Sequence, residues 1–256
     1  MGKIKYPAVV WLGSKRRIAN QLIPLLEGIR AEGQVYVEPF CGGCNSLIRM
    51  KNPRIGNDVN HYWISALIAT QNGWSPPSEY TKEDYNLLRK NPYSYPPELV
   101  GWACSQWAFG GRWMGSMDSR MTGRVGKGGV VATAYRKIDA LRSCIQGVDF
   151  VCSDYKKLEV PPNSLIYCDP PYMSSTSGND NYIVSSFDFD EFVTWMKQKA
   201  NEGHTVLFSE FVDFDDPRFL KLFEKPQTTN FGNKGCLRTE FERVYLVEPQ
   251  HGGLNG

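Results

Sequence analysis

Short apolar runs alternate with helical patterns along most of this 256-residue chain. Six of these runs have the length and composition of buried strands, at residues 34–37, 54–57, 148–152, 164–168, 205–208 and 244–247. Between the runs, apolar side chains recur at helical spacing, as in residues 18–29 and 59–71. Strands that alternate with helices favour a mainly parallel sheet with helices on both faces. The sequence therefore predicts an α/β fold.

One segment interrupts this alternation. Residues 73–146 begin with several prolines, continue with a helical pattern at 99–109, and contain seven glycines between 110 and 129. A helical pattern returns at 133–146. We therefore expect a largely helical insertion at 73–146 between two halves of one sheet domain, at 1–72 and 147–256.

Composition sets few limits on function. The 41% hydrophobic content suffices for a core, and the net charge of +2 neither requires nor excludes a nucleic acid, because only one face need be basic. No signal peptide or membrane-length apolar run is present, and the seven cysteines are irregularly spaced, so we expect reduced thiols in a cytoplasmic protein. Cys41 and Cys44 have C-x-x-C spacing, but no second pair accompanies them, so no metal site is predicted.

The run at 164–168 ends in Asp169-Pro170-Pro171-Tyr172. Proline fixes φ, lacks an N–H and makes the preceding residue extended. The result is a stiff corner that offers one carboxylate, bare carbonyl oxygens and one aromatic ring. Such a corner suits a flat ring that bears an amino group. The alternative is a strand that simply ends in a proline turn.

Two further features follow predicted strands. Glu38 precedes Gly42 and Gly43 at a strand-to-helix turn, where glycines let the backbone approach a ligand. The spacing is not that of a dinucleotide site and fits an S-adenosylmethionine (AdoMet) loop better, although it could be an ordinary turn. Asp58 ends the next strand and could accept hydrogen bonds from ribose hydroxyls or cap the following helix.

Basic residues supply two more candidate contacts. Lys15, at the start of the first helix, could hold a ligand carboxylate or be solvated. Between residues 112 and 142 there are seven basic and two acidic residues, spaced by glycines. This segment could contact DNA phosphates and grooves, or form a solvated loop. The candidate DNA contacts are Arg112, Arg120, Arg124 and Lys127.

The order of these features resembles the Dam-like, D12-class, α-type family of N6-adenine DNA methyltransferases, whose hallmark is the DPPY motif. The resemblance extends from residues 11–15 and 38–43 through 57–60, 109–113 and 153–155 to 169–172, and continues at 208–210 and 242–246. Two positions depart from the family pattern. Cys44 replaces the third glycine of the AdoMet loop, and Ser14 replaces the second glycine of the N-terminal motif.

The resemblance implies a class I AdoMet-dependent methyltransferase fold, with residues 73–146 as the target-recognition region. It implies an AdoMet site formed by Trp11, Gly13, Lys15, Glu38, Phe40, Gly42, Gly43, Asp58, Asp154, Tyr155 and Asp169. Asp169 and the Pro170 carbonyl would accept hydrogen bonds from the adenine amino group, next to Pro171, and Tyr172 would stack on the base.

The implied activity is methyl transfer from AdoMet to N6 of a flipped-out adenine in a specific double-stranded DNA sequence, with S-adenosylhomocysteine as product. A cognate restriction endonuclease is an open partner. Three alternatives stay open: methylation of another amino nitrogen (cytosine N4, RNA adenine or protein glutamine), a non-catalytic DNA-binding relative, and a nucleotide-dependent oxidoreductase. Asp169 and the motif order favour adenine.

Overall fold

The computed structural model describes residues 6–7, 9–77, 80–118, 130–171, 187–230 and 237–250. They form a seven-stranded sheet in the order β3-β2-β1-β4-β5-β7-β6. The strands are β1 (Tyr36–Glu38), β2 (Arg54–Asn57), β3 (Val148–Val151), β4 (Leu165–Cys168), β5 (Thr205–Glu210), β6 (Phe219–Asn230) and β7 (Leu237–Val247). Strands β1 to β5 are parallel to their neighbours, and β7 is antiparallel to both β5 and β6. The mainly parallel α/β sheet confirms the predicted fold class.

Among the described residues, one helix precedes β1, four lie between β2 and β3, and one lies between β4 and β5. They are α1 (Ala19–Ile29), α2 (His61–Gln71), α3 (Lys82–Lys90), α4 (Pro97–Trp102), α5 (Val130–Cys144) and α6 (Phe189–Asn201). Strand β4 is buried along its whole length, as expected for a central strand covered on both faces. None of the helices in the described ranges is both long and apolar enough to cross a bilayer.

The sequence prediction missed β6. This edge strand pairs only with β7 among the described residues and contains Pro226 among polar side chains. Proline is tolerated on an edge strand because it needs no ladder partner on its outer side. Without a buried apolar run, the segment lacks the signal by which the other strands were found.

The helix predicted at 99–109 is also not continuous. Helix α4 ends at Trp102, a π-helical turn covers Ala103–Trp107, and a 3₁₀ turn covers Phe109–Gly111. Gly110 and Gly111 have φ angles of 65° and 69°, which a right-handed helix cannot contain. The division of the chain at residues 73 and 146 stays a prediction.

Candidate active site

The parallel strands place their carboxyl ends at one edge of the sheet. From β1 the chain proceeds through β2 to β3 on one side, whereas β4 and β5 lie on the other side. The reversal of direction leaves a crevice between β1 and β4, which is where ligands bind in open α/β sheets. Glu38 and Asp169 stand at the ends of these two strands, facing the crevice from opposite sides.

A cavity of about 240 Å³ occupies this crevice. The cofactor residues predicted from sequence all line it: Trp11, Gly13, Lys15, Glu38, Phe40, Gly42, Gly43, Asp58, Asp154, Tyr155 and Asp169. Pro170 and Pro171 line it as well. The structure thus brings together residues from five separate segments of the chain.

The glycine loop is shaped by Trp11. A Cβ atom on Gly43 would lie 2.6 Å from the Trp11 Cβ, and one on Gly42 would lie 2.7 Å from the indole nitrogen. The carbonyl of Gly42 accepts a hydrogen bond from the Trp63 indole at 2.5 Å. The glycines are therefore required by close packing of a tryptophan, a contact that the sequence analysis had attributed to a ligand.

Cys44 keeps the turn tight although it replaces a glycine. Its φ of 55° is in the left-handed region, and its N–H donates to the Cys41 carbonyl at 2.7 Å. Its side chain is fully buried. The core contact offsets the backbone strain that a non-glycine residue meets at this φ.

Asp58 joins the glycine loop to α2. One carboxylate oxygen accepts the N–H of Gly42 at 3.0 Å, and the other accepts the N–H of Asn60 at 2.9 Å. Burial raises the pKa of Asp58, and these backbone hydrogen bonds oppose the rise. The N-cap of α2 is Asn60, whose side chain accepts from Trp63, so the alternative of Asp58 as helix cap is wrong.

Aromatic rings form one end of the cavity. Phe40 packs against Tyr155 at a centroid distance of 5.2 Å and against Phe187 at 5.7 Å. Tyr155 begins a 3₁₀ turn capped by Asp154, just beyond β3. This end can receive a flat ring, and the carboxylate of Asp58 lines the same cavity.

Glu38 is 2% exposed at the end of β1. The Tyr36 hydroxyl donates to its Oε1 at 2.6 Å. Burial raises the pKa of Glu38 to about 8, while the hydrogen bonds from Tyr36 and Ser46 act in the opposite direction. The side chain is therefore mostly protonated at neutral pH, although a cationic ligand group would favour its ionised form.

We expect Glu38 to make stability depend on pH. Its folded-state pKa lies above the unfolded value, so the folded chain retains a proton that the unfolded chain releases, and stability falls as pH rises from about 5 to about 8. Thermal unfolding of the wild type and of Glu38→Gln, measured at several pH values across this window, checks the expectation. The Tm of Glu38→Gln should fall less, and parallel Tm profiles would contradict it.

Lys15 lines the cavity, and its contact with a ligand carboxylate stays a prediction. It is 4% exposed, so the solvated alternative is wrong. Its ammonium donates to the Gly13 carbonyl at 3.2 Å, contacts the Asp169 carboxylate and lies 3.4 Å from Glu242 Oε1. Burial lowers the pKa of Lys15, but the two carboxylates outweigh this effect and the pKa is raised. Lys15 thus forms ion pairs with the carboxylates of Asp169 and Glu242.

The Asp169 corner faces the cavity as the sequence predicted. Strand β4 ends at Cys168, and the Asp169 side chain is 23% exposed, with Pro170 and Pro171 beside it on the cavity wall. Tyr172, the predicted stacking residue, lies outside the described residues.

The predicted recognition region is attached directly to the cavity wall. The side-chain amide of Gln106 accepts from the N–H of Val10 and donates to its carbonyl, each at 3.1 Å. A Cβ on Gly111 would lie 2.9 Å from the backbone nitrogen of Trp11, so the two backbones are in close contact. Among the candidate DNA contacts, Arg112 is exposed beside this junction, while Arg120, Arg124 and Lys127 lie outside the described residues.

Sequence reasoning missed two aromatic lining residues. Trp113 lines the cavity and stacks on Tyr62 at 6.2 Å, and Phe187 closes the aromatic end. Trp113 belongs to residues 109–113, which are part of the resemblance to the methyltransferase family but were given no role in the predicted site. Phe187 follows a polar stretch and has no local signal, because only the fold brings it to Phe40.

Comparison with known proteins finds similarity to adenine DNA methyltransferases. The family model described as D12 class N6 adenine-specific DNA methyltransferase matches residues 11–95, which include the glycine loop and Asp58. The type II methyltransferase M.FokI of Planomicrobium okeanokoites is 27% identical over 198 residues, or 66% of this chain. The chain spans only 29% of the length of that relative. The chain is thus similar to the D12 class of N6 adenine-specific DNA methyltransferases over residues 11–95, and to this type II methyltransferase over a longer part of its length.

Proposed function

We propose that this protein transfers a methyl group from AdoMet to N6 of an adenine flipped out of a specific double-stranded DNA sequence. The observation that carries the proposal is the shared cavity of the Asp169 corner and the Gly42 loop. The Asp169 carboxylate can accept hydrogen bonds from an amino group, and the Gly42 loop can contact AdoMet. Both line the same cavity although they are far apart in the sequence.

The chemistry of the cavity wall fits AdoMet. Phe40 and Tyr155 would pack against the adenine ring of AdoMet, and Asp58 would accept hydrogen bonds from its ribose hydroxyls. The ionised form of Glu38 would bind the ammonium group of its methionine part. When bound, AdoMet would supply an electrophilic methyl group whose bond electrons remain on sulfur. In the proposed complex, Lys15 would remain paired with the carboxylates of Asp169 and Glu242.

Asp169 and Pro170 would act on the amino group of the target base. The lone pair of this nitrogen is conjugated into the ring, so the free amino group is a weak nucleophile. Hydrogen bonds donated by its two N–H groups to the Asp169 carboxylate and the Pro170 carbonyl favour a pyramidal nitrogen with an available lone pair. The carboxylate also stabilises the positive charge that grows on the nitrogen, before one N–H proton is lost to water.

DNA must present the adenine outside the duplex, because a stacked base cannot reach a site of this depth. Arg112 is exposed at the junction between the recognition region and the cavity wall, where it could contact a phosphate. Tyr172 would stack on the flipped base, and Arg120, Arg124 and Lys127 would extend the DNA contact. A cognate restriction endonuclease stays an open partner, in line with the similarity to a type II methyltransferase.

Expression in a host without DNA methylation, followed by sequencing that detects modified bases, tests the proposal. N6-methyladenine in one sequence context supports it. Methylcytosine would instead indicate the other amino-nitrogen substrate, and an unmodified genome together with no AdoMet binding would overturn the assignment.

We expect Asp58→Ala to weaken AdoMet binding by about tenfold to a hundredfold, because hydrogen bonds to a charged acceptor are worth roughly 1.5–3 kcal/mol. The substitution also releases the Gly42 N–H and so loosens the glycine loop. Calorimetric titration with AdoMet measures the effect, and Asp149→Ala, at an exposed site on β3, is the matched control. An unchanged Kd for Asp58→Ala would exclude the ribose role.

A further inference from the structure

The buried ion cluster behind Asp169 includes a residue to which the proposed reaction gives no role. Glu242 lies on β7, far from Asp169 in sequence, and is 3% exposed. Its Oε1 is 3.4 Å from the Lys15 ammonium, which in turn contacts Asp169 Oδ1. Glu242, Lys15 and Asp169 thus form a chain of three charged groups that ends at the cavity.

We propose that Glu242 is a positioning residue for methyl transfer. Glu242 holds Lys15 in place and offsets its positive charge, so that the electrostatic field of the cluster at the target amino group stays negative. This inference rests on the proposed function. It assigns no contact between Glu242 and either substrate, because its effect passes through Lys15.

The geometry supports the positioning role. A lysine ammonium has three N–H donors, and the contacts of Lys15 include oxygens on Gly13, Asp169 and Glu242. These three acceptors restrict the position of the ammonium. Asp169 Oδ1 is therefore held by a buried cation, while the Asp169 side chain still reaches the cavity.

The charge balance supports the electrostatic role. A lysine paired with Asp169 alone would neutralise it and cancel the attraction for a nitrogen that becomes positive. With Glu242, the three groups carry a formal net charge of −1. Glu38 also acts on Asp169, but burial raises the pKa of Glu38 to about 8, so it supplies little negative charge at neutral pH.

Among the described residues, Tyr167 and Cys168 on β4 are titratable groups close enough to Asp169 to be affected by its charge, and both are neutral at neutral pH. Burial raises the pKa of Tyr167 and that of Cys168 well above their ordinary values, and the nearby Asp169 carboxylate adds to both shifts. In the part of the chain that the structure describes, Lys15 contacts Asp169 directly, and Glu242 acts on Asp169 through Lys15. Removal of the Glu242 charge should leave the cluster close to neutral.

Glu242→Gln tests the inference, because it keeps the shape and an acceptor oxygen but removes the charge. The single-turnover rate of methyl transfer should fall about tenfold to a hundredfold, with less than about a twofold change in the Kd of AdoMet. The matched control is Glu224→Gln on β6, where an exposed carboxylate pairs with Arg243. This control should keep the wild-type rate.

A second measurement does not depend on activity. The carboxyl ¹³C signal of Asp169, assigned with Asp169→Asn, can be followed as a function of pH. Its titration midpoint should move to lower pH by about half to one unit in Glu242→Gln, because Lys15 is then unopposed. If that variant fails to fold, the double variant Lys15→Met/Glu242→Gln replaces it. The Asp169 titration midpoint should then move to higher pH, because the positive charge of Lys15, the nearer of the two groups, is lost.

The outcomes separate the two proposals. A wild type that methylates no adenine overturns the proposed function, whereas the Asp169 titration still tests the cluster. An active wild type whose rate and Asp169 midpoint are both unchanged by Glu242→Gln overturns the inference alone. A lower rate with an unchanged midpoint also overturns it, since that result would indicate a purely structural role for Glu242.

Discussion

Asp169→Ala is expected to reduce methyl transfer by at least about a thousandfold. Loss of one preorganised hydrogen-bond partner typically costs a factor of about 10²–10³ in rate. Here the loss is larger, because the Lys15 cation remains beside the amino group and opposes the positive charge that develops there. Incorporation of a labelled methyl group into DNA at saturating concentrations of both substrates measures the effect.

The same variant should retain most of its DNA affinity, since that affinity depends mainly on phosphate contacts outside the cavity. Fluorescence anisotropy with duplex DNA at fixed salt checks this point. Asp169→Asn is the matched variant: its amide oxygen still accepts a hydrogen bond, so its rate should lie between those of wild type and Asp169→Ala. Label incorporation by Asp169→Ala at the wild-type rate would remove Asp169 from the mechanism.

Lys15→Met is expected to lower the free energy of unfolding by about 3–5 kcal/mol at pH 8, the usual cost of breaking a buried ion pair by removing one partner. The side chain of methionine can fill the space, but Asp169 and Glu242 then lose their common cation. Chemical denaturation monitored by circular dichroism gives the free energy directly.

The destabilisation should shrink as the pH is lowered to about 5. Without Lys15, the buried Glu242 and the partly buried Asp169 are unpaired in the folded variant, which raises their pKa values, so protonation at lower pH relieves the unpaired charge. The titration of Lys15 itself contributes nothing in this window, because its raised pKa lies above it. Lys90→Met, at an exposed site in α3, should leave stability almost unchanged, and an equally small effect of Lys15→Met would mean that the buried pair is unimportant.

Strand-end residues were the most predictable part of the site. Glu38, Asp58 and Asp169 stand at or directly after predicted strands, and parallel strands carry such residues to one edge of a sheet. The edge strand β6 could not be found in the same way, because a strand with one open side needs no continuous apolar pattern. The π-helical and 3₁₀ turns after Trp102 were equally hidden, since their spacing resembles that of an α-helix.

Contacts between distant segments were beyond sequence reasoning. Trp11 and the glycines at 42 and 43 were each recognised, but the close packing of Trp11 on these glycines was not. Lys15 was recognised as a binding residue, yet its partners come from β4 and β7, and no local pattern pairs them. Trp113 and Phe187 reach the cavity in the same way.

The sequence by itself determined the α/β class, the residues that stand at the strand ends and the stiff Asp169 corner, because strand length, helical periodicity and proline geometry are local properties. Only the tertiary structure decided which charges meet behind that corner. Burial converts Lys15 and Glu242 from two isolated side chains into one electrostatic unit with Asp169, because in a low-dielectric interior a charge must be stabilised by whichever partners the fold provides.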